Sequence, residues 1–149
     1  AKNKLYLIKH TENANYTPNI ECLKKNFDFV STNIENKTIV SAYTLDAKGY
    51  AAAAAKMAFG NKLGVAFDEA LSAEALFANQ LGNFIAEVPA DKVDAINIPY
   101  VTVGEVTESG FTVAGAVISE EEALDAWTSK LEKVFPTKAE KATTPIETK

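Results

Sequence analysis

Arginine is missing from these 149 residues: all fifteen basic side chains are lysine, set against twenty aspartates and glutamates for a net charge of −5. Two-pronged recognition of phosphates and guanine edges draws on the planar guanidinium. An acidic, arginine-free chain therefore argues against a nucleic-acid partner. Cysteine is nearly missing as well, and Cys22 alone excludes both a disulfide framework and a cysteine-rich zinc site. It reads as a small buried hydrophobe on a helix. Histidine is limited to His10. A catalytic thiol would need it beside Cys22, and nothing in their spacing brings the two together. A lone histidine at a strand end is more often exposed or a hydrogen-bonded bystander. No apolar run approaches the ~20 residues that span a bilayer. Ala1-Lys2-Asn3-Lys4 offers no apolar signal-peptide core. The expectation is a cytoplasmic chain with no membrane partner. Also lacking are a Gly-x-x-x-x-Gly-Lys-Ser/Thr phosphate loop, a Gly-x-Gly-x-x-Gly turn and a serine in a nucleophile elbow.

What is present suffices for one domain. A chain of this length buries roughly 68–70% of its unfolded surface, and 47% hydrophobic residues fill such a core without a staple. Leu5-Tyr6-Leu7-Ile8 reads as a buried strand, followed by a polar loop from His10 to Asn19. Ile20, Leu23, Phe27, Val30 and Ile34 then fall on one helical stripe, with Asn19 placed to cap it. Thr38 to Tyr43 reads as a strand, Thr44 to Gly49 as a tight loop, and Tyr50 to Phe59 as an alanine-rich helix stopped by Gly60-Asn61. Strands follow over 62–67, 83–88, 100–106 and 111–114, with a short helix capped by Ser72 and a further turn over 90–95. A last helix opens at Ser119 with glutamate three residues on, a reciprocal capping pattern. Its stripe of Ala123, Trp127, Leu131 and Val134 is expected to face the core. A buried Trp127 would cost about 3–5 kcal/mol on truncation to alanine. The resulting order predicts a mixed sheet covered by helices, an α/β (α+β) domain over 1–136. Residues 137–149, nearly all Lys, Thr, Glu, Ala and Pro, read as a flexible linker.

The one segment with the layout of a ligand site is Ser41-Ala42-Tyr43-Thr44-Leu45-Asp46-Ala47-Lys48-Gly49-Tyr50. A strand, a tight loop and a helix start present backbone N–H groups to an anion. Gly49 permits close approach to the backbone, and Asp46 and Lys48 supply one charge of each sign. An ordinary connection whose glycine serves only the turn explains the same residues. Asp68, Glu69, Glu87 and Glu105 read as a solvated surface rather than a catalytic carboxylate pair.

The run from Thr38 to Val65, above all Ala54-Ala55-Lys56-Met57-Ala58-Phe59-Gly60-Asn61, resembles phosphoribosylformylglycinamidine synthase. So do Leu76 to Phe84 leading to Glu87-Val88-Pro89, Gly104-Glu105-Val106-Thr107, and the Trp127-to-Pro136 helix. The similarity is to the C-terminal subdomain of that enzyme's aminoimidazole-ribonucleotide-synthase-like region, in its long single-chain form. It implies the fold of that subdomain, and conversion of formylglycinamide ribonucleotide to formylglycinamidine ribonucleotide with ATP, magnesium and glutamine-derived ammonia. The implied partners are the other synthetase subdomains and a glutaminase domain following the linker. The fragment alone is expected to be inactive and to hold no cofactor tightly. The site residues implied are Ser41, Tyr43, Thr44, Asp46, Lys48 and Gly49. In the common pattern, Ser-Ala is followed by His-Asp-x-Ser-Asp-Gly-Gly-Leu. Here Tyr43 stands for the histidine, Thr44 for the first aspartate, Asp46 for the serine, and Ala47 and Lys48 for Asp-Gly. A neutral hydroxyl at Thr44 is a poorer magnesium ligand than a carboxylate, so no metal is assigned to this module. Two other readings fit the composition: a subdomain of a related enzyme of that superfamily, and a non-catalytic ferredoxin-like interaction module.

Overall fold

The computed structural model describes residues 2–136 and Lys138, so all but one residue of the expected linker lies outside the described residues. The chain forms strands β1 (Lys4–Ile8), β2 (Ser41–Thr44), β3 (Gly64–Phe67), β4 (Phe84–Val88), β5 (Tyr100–Thr107), β6 (Phe111–Val113) and β7 (Ala116–Ile118). Helices are α1 (Ile20–Glu35), α2 (Gly49–Phe59), α3 (Ala73–Phe77) and α4 (Glu120–Glu132), with a 3₁₀ turn at Ala90–Ala95. One seven-stranded mixed sheet results, in the order β2-β4-β1-β5-β3-β6-β7. Neighbours are antiparallel except β3 and β6, which run parallel.

β1 is an interior strand, third of the seven, and is covered on both faces, which is why its sequence is a continuous apolar run rather than an alternation. Leu5 and Leu7 enter a core with Ala53, Ala54, Val65, Leu76 and Ile85 under α2 and α3. Tyr6 and Ile8 point to the other face and pack with Val30, Ile39, Phe84 and Val88 beneath α1. The alanines of α2 give that helix a thin face, so it lies close to the sheet.

The three sequence-predicted caps form. Asn19 Oδ1 accepts from Cys22 N at 3.0 Å, Ser72 Oγ from Ala75 N at 3.2 Å, and Ser119 Oγ from Glu122 N at 3.1 Å. Strand β7 was not expected. Ala114 and Gly115, both at positive φ, turn the chain back on β6 as a two-residue hairpin. At the end of α2 the left-handed residue is Lys62, whereas Gly60 stays in the right-handed helical region.

Two helices present different faces from those their apolar stripes predict. On α1 the buried positions are Asn26, Val30 and Asn33, and Ile20, Phe27 and Ile34 are exposed. Both asparagines have backbone partners that make burial tolerable. Asn26 Nδ2 donates to the Lys9 carbonyl at 3.1 Å, and Asn33 Nδ2 donates to the Phe29 carbonyl at 2.8 Å. Phe27 still meets Phe84 edge-on, with centroids 5.0 Å apart. Cys22 is only half-buried.

α4 buries none of its residues fully. Trp127, expected in the core, is 56% exposed and stacks on Phe59 at 5.2 Å, while Leu131 and Val134 are open to solvent. Trp127→Ala should therefore cost only about 1 kcal/mol, well below the figure for a buried tryptophan. A urea titration reading 3 kcal/mol or more would contradict the exposed placement.

Candidate functional site

The predicted loop leaves the sheet from its edge strand β2 and enters α2. Leu45 drops into the core and its N–H donates to the Asn83 carbonyl at 2.9 Å, which fixes the loop to β4. Asp46 then folds back on the helix start: its Oδ1 accepts from Lys48 N at 2.8 Å, and its carbonyl accepts from Gly49 N at 3.3 Å. This is an Asx turn, with a carboxylate at the positive end of the helix dipole. The anion position at the start of α2 is thus engaged by the chain's own side chain.

The other oxygen of Asp46 reaches a lysine that the sequence reading placed in a family signature but not in the site. Lys56 Nζ lies 3.5 Å from Asp46 Oδ2 and 3.4 Å from the Tyr43 hydroxyl, and 5.4 Å above the Tyr43 ring centroid. The signal was a single lysine within the apolar run 50–59, about two turns into α2. The Lys48 N–H holds the Asp46 carboxyl below its ordinary range, against the opposing effect of burial and with help from Lys56. Burial pushes the Lys56 ammonium down, but the Tyr43 hydroxyl and the Asp46 carboxylate outweigh it and leave it raised.

Of the predicted site residues, the structure unites Tyr43 and Asp46 around Lys56. Thr44 is exposed and, by strand alternation, sits on the face opposite Tyr43. Lys48 is exposed. Ser41 lines a separate cavity of about 320 Å³ with Met57, Asn61 and Glu87. Gly49 has φ +73°, and a Cβ there would stand 2.5 Å from the Leu76 carbonyl oxygen. Its missing side chain makes room for the last turn of α3.

These donors do not fit magnesium. Asp46 is the one carboxylate in the loop and it is already paired with Lys56, while Thr44 points elsewhere. Among the described residues no three His, Cys, Asp or Glu side chains gather as a metal site, and no helix is long and apolar enough to cross a membrane.

A second carboxylate behaves like Asp46. Glu105 pairs with its cross-strand neighbour Lys4, and the hydrogen bond from Lys4 holds its carboxyl below the ordinary range. Both folded-state values are depressed. The stability these groups contribute is complete above the unfolded carboxylate range and is lost as pH falls through about 4 and below. Urea midpoints should drop between pH 5 and pH 3, and less steeply in an Asp46→Asn, Glu105→Gln double variant. Equal slopes in the two proteins would contradict this assignment.

No protein-family model matches the chain. Over 114 residues it is 30% identical to the phosphoribosylformylglycinamidine synthase subunit PurL of Corynebacterium ammoniagenes, a match covering 68% of this chain and 15% of that protein. Its fold resembles phosphoribosylformylglycinamidine synthase II of Thermotoga maritima, with a TM-score of 0.63 at 13% identity, over 99% of this chain and 28% of that one. It likewise resembles the T. maritima PurL complexed with ATP, with a TM-score of 0.61 at 9% identity over 82% of this chain and 25% of that one. The chain spans about a seventh of its curated relative and about a quarter of the solved chains. In sequence over two thirds of its length, and in its mixed-sheet fold, this chain is similar to one portion of phosphoribosylformylglycinamidine synthase.

Proposed function

We propose that this chain is the C-terminal subdomain of the aminoimidazole-ribonucleotide-synthase-like region of a long single-chain phosphoribosylformylglycinamidine synthase. The parent enzyme would convert formylglycinamide ribonucleotide and glutamine to formylglycinamidine ribonucleotide, using ATP and magnesium held by other subdomains. The observation that carries this reading is the 30% identity to PurL over 114 residues. Two features of the molecule agree with it. The Tyr43–Asp46–Lys56 cluster satisfies its own charges, as a supporting wall would. The apolar residues left outside on α1 and α4 suit a piece that packs against neighbouring subdomains. Its role would be to shape one side of a nucleotide or substrate site and to pair with the rest of the synthetase and the glutaminase domain.

The test is an assay of the purified chain with formylglycinamide ribonucleotide, ATP, magnesium and glutamine, beside the complete parent reading frame. No phosphate release above background from the chain, with turnover by the parent, is the expected pair of results. Turnover by the chain alone, or a parent inert toward these substrates, would overturn the reading.

A further inference from the structure

A second site lies beyond the β2–α2 loop, on the far side of the α3–β4 turn. There the β1–α1 loop and the α3–β4 turn enclose a cavity of about 560 Å³, lined chiefly by Lys9, His10, Thr11, Asn79, Gln80 and Asn83. His10 is 7% exposed. Its Nε2 accepts a hydrogen bond from Asn19 N at 3.0 Å, which assigns the proton of the neutral ring to Nδ1. Nδ1 has no protein partner among the described residues. It lies on the side of Gly82, whose absent Cβ would stand only 3.1 Å away. Gly82, at φ +83° and without a side chain, lets the chain pass close to that ring edge, and its neighbours Leu81 and Asn83 line the cavity together with His10.

The amides around it are oriented by their own hydrogen bonds. Asn83 Oδ1 accepts from His10 N at 2.7 Å, and Asn83 Nδ2 donates to Gln80 Oε1 at 2.6 Å. Asn79 Oδ1 accepts from Leu81 N at 3.1 Å. The protein uses the acceptor of each amide internally. What remains unengaged is a set of donors: His10 Nδ1–H, the Gln80 and Asn79 amide N–H groups, and the Lys9 ammonium. A donor-rich, partly closed cavity calls for an acceptor-rich ligand with a negative charge. Glu12 at the rim is the one opposing charge.

We infer that this cavity is a binding site for a small oxyanion group, a phosphate or a carboxylate, gripped by His10 Nδ1–H, Gln80, Asn79 and Lys9. The inference stands on these residues alone and does not depend on the enzyme the chain belongs to.

The test is a titration of the uniformly ¹⁵N-labelled full chain with inorganic phosphate, and separately with acetate, at constant ionic strength. Saturable shifts should cluster at the His10 ring, the Asn79 and Gln80 side-chain amides and Lys9. Saturation by either anion supports the site, and saturation by phosphate alone narrows it to phosphoryl groups. Lys9→Met with Asn79→Ala should weaken binding at least ten-fold, Glu12→Gln should tighten it, and the distant Lys62→Met should leave it unchanged. These variants alter exposed side chains and spare the buried ring, so misfolding does not cloud the result. Linear shifts without saturation, shifts spread over the surface lysines, or indifference to the Lys9 and Asn79 changes would overturn it.

Discussion

Ile85→Ala should lower the unfolding free energy by about 2–5 kcal/mol, the range for deleting a large aliphatic side chain from a closed core. Ile85 is 0% exposed and sits mid-strand on β4, with Leu7 of β1 on one side and Tyr43 of β2 on the other. Its side chain belongs to the core beneath α2, where most of the buried helix residues are alanine and Tyr50 is the one large side chain among them. Alanine faces have no longer side chains to swing into a void, so the site collapses poorly and the cost belongs in the upper half of the range. Thermal unfolding of a chain this size shifts by roughly 2–4 °C per kcal/mol, so a drop near 10 °C is expected. Chemical denaturation should move the urea midpoint with little change in slope. A loss below 1 kcal/mol would mean that the core beneath α2 is open at this position. Because Tyr43 pairs with Ile85, the same variant should also loosen the Tyr43–Lys56 contact at the β2–α2 loop.

The contrast with Trp127 shows which parts of the fold could be read in advance. Helix starts were legible because a cap is a local bargain between one side chain and an N–H two or three residues on. Asn19, Ser72 and Ser119 each make that bond. Strands were legible wherever β-branched and apolar runs were bounded by turn residues. The buried face of a helix was not, because it depends on what the rest of the molecule offers. On α1 the backbone carbonyls of Lys9 and Phe29 satisfy Asn26 and Asn33, so two polar residues go inside while Ile20 and Phe27 stay out. On α4 the apolar stripe is real in sequence, but only Ala123 and one side of Trp127 find cover. β7 was missed because Ala114-Gly115 is a weaker hairpin signal than Asn-Gly or Asp-Gly.

The candidate site divides in the same way. The loop from Thr44 to Gly49 and its Asp46 could be read from local sequence, because an Asx turn before a helix needs only neighbours. Lys56 joins it from the next turns of α2, Thr44 departs from it because alternate strand positions face opposite sides, and Ser41 because it stands at the far end of β2. The His10 cavity was invisible for a stronger reason. Its two walls are separated by about seventy residues in sequence and meet only because β4 pairs with β1. The single histidine looked like a bystander, and it is hydrogen-bonded, but through only one of its two nitrogens.

Gly49→Ala should be nearly as damaging as the core deletion, at about 2–4 kcal/mol, although it adds a methyl rather than removing one. Two independent costs meet at this position. A residue at φ +73° is in the left-handed region, where an alanine is disfavoured by roughly 1 kcal/mol or more. The new Cβ would also lie 2.5 Å from the Leu76 carbonyl oxygen, 2.8 Å from that of Ala78 and 2.9 Å from the Phe77 carbonyl carbon. All three are backbone atoms, so no rotamer change relieves the clash, and either α3 or the start of α2 has to shift. A shift of α3 moves Leu76, which is wholly buried, and drags on the α3–β4 turn that carries Asn79 and Gln80. A shift of α2 breaks the Asp46 turn and parts Lys56 from Tyr43. The two routes are separable by NMR: perturbation at Asn79–Asn83 reports the first, and at Tyr43, Asp46 and Lys56 the second. Gly60→Ala, at a position with nothing near the added methyl, is the control and should stay within about 0.5 kcal/mol of the parent. If Gly49→Ala were as mild as that control, α3 could not be seated against the start of α2, and the glycine would be free to admit a ligand instead.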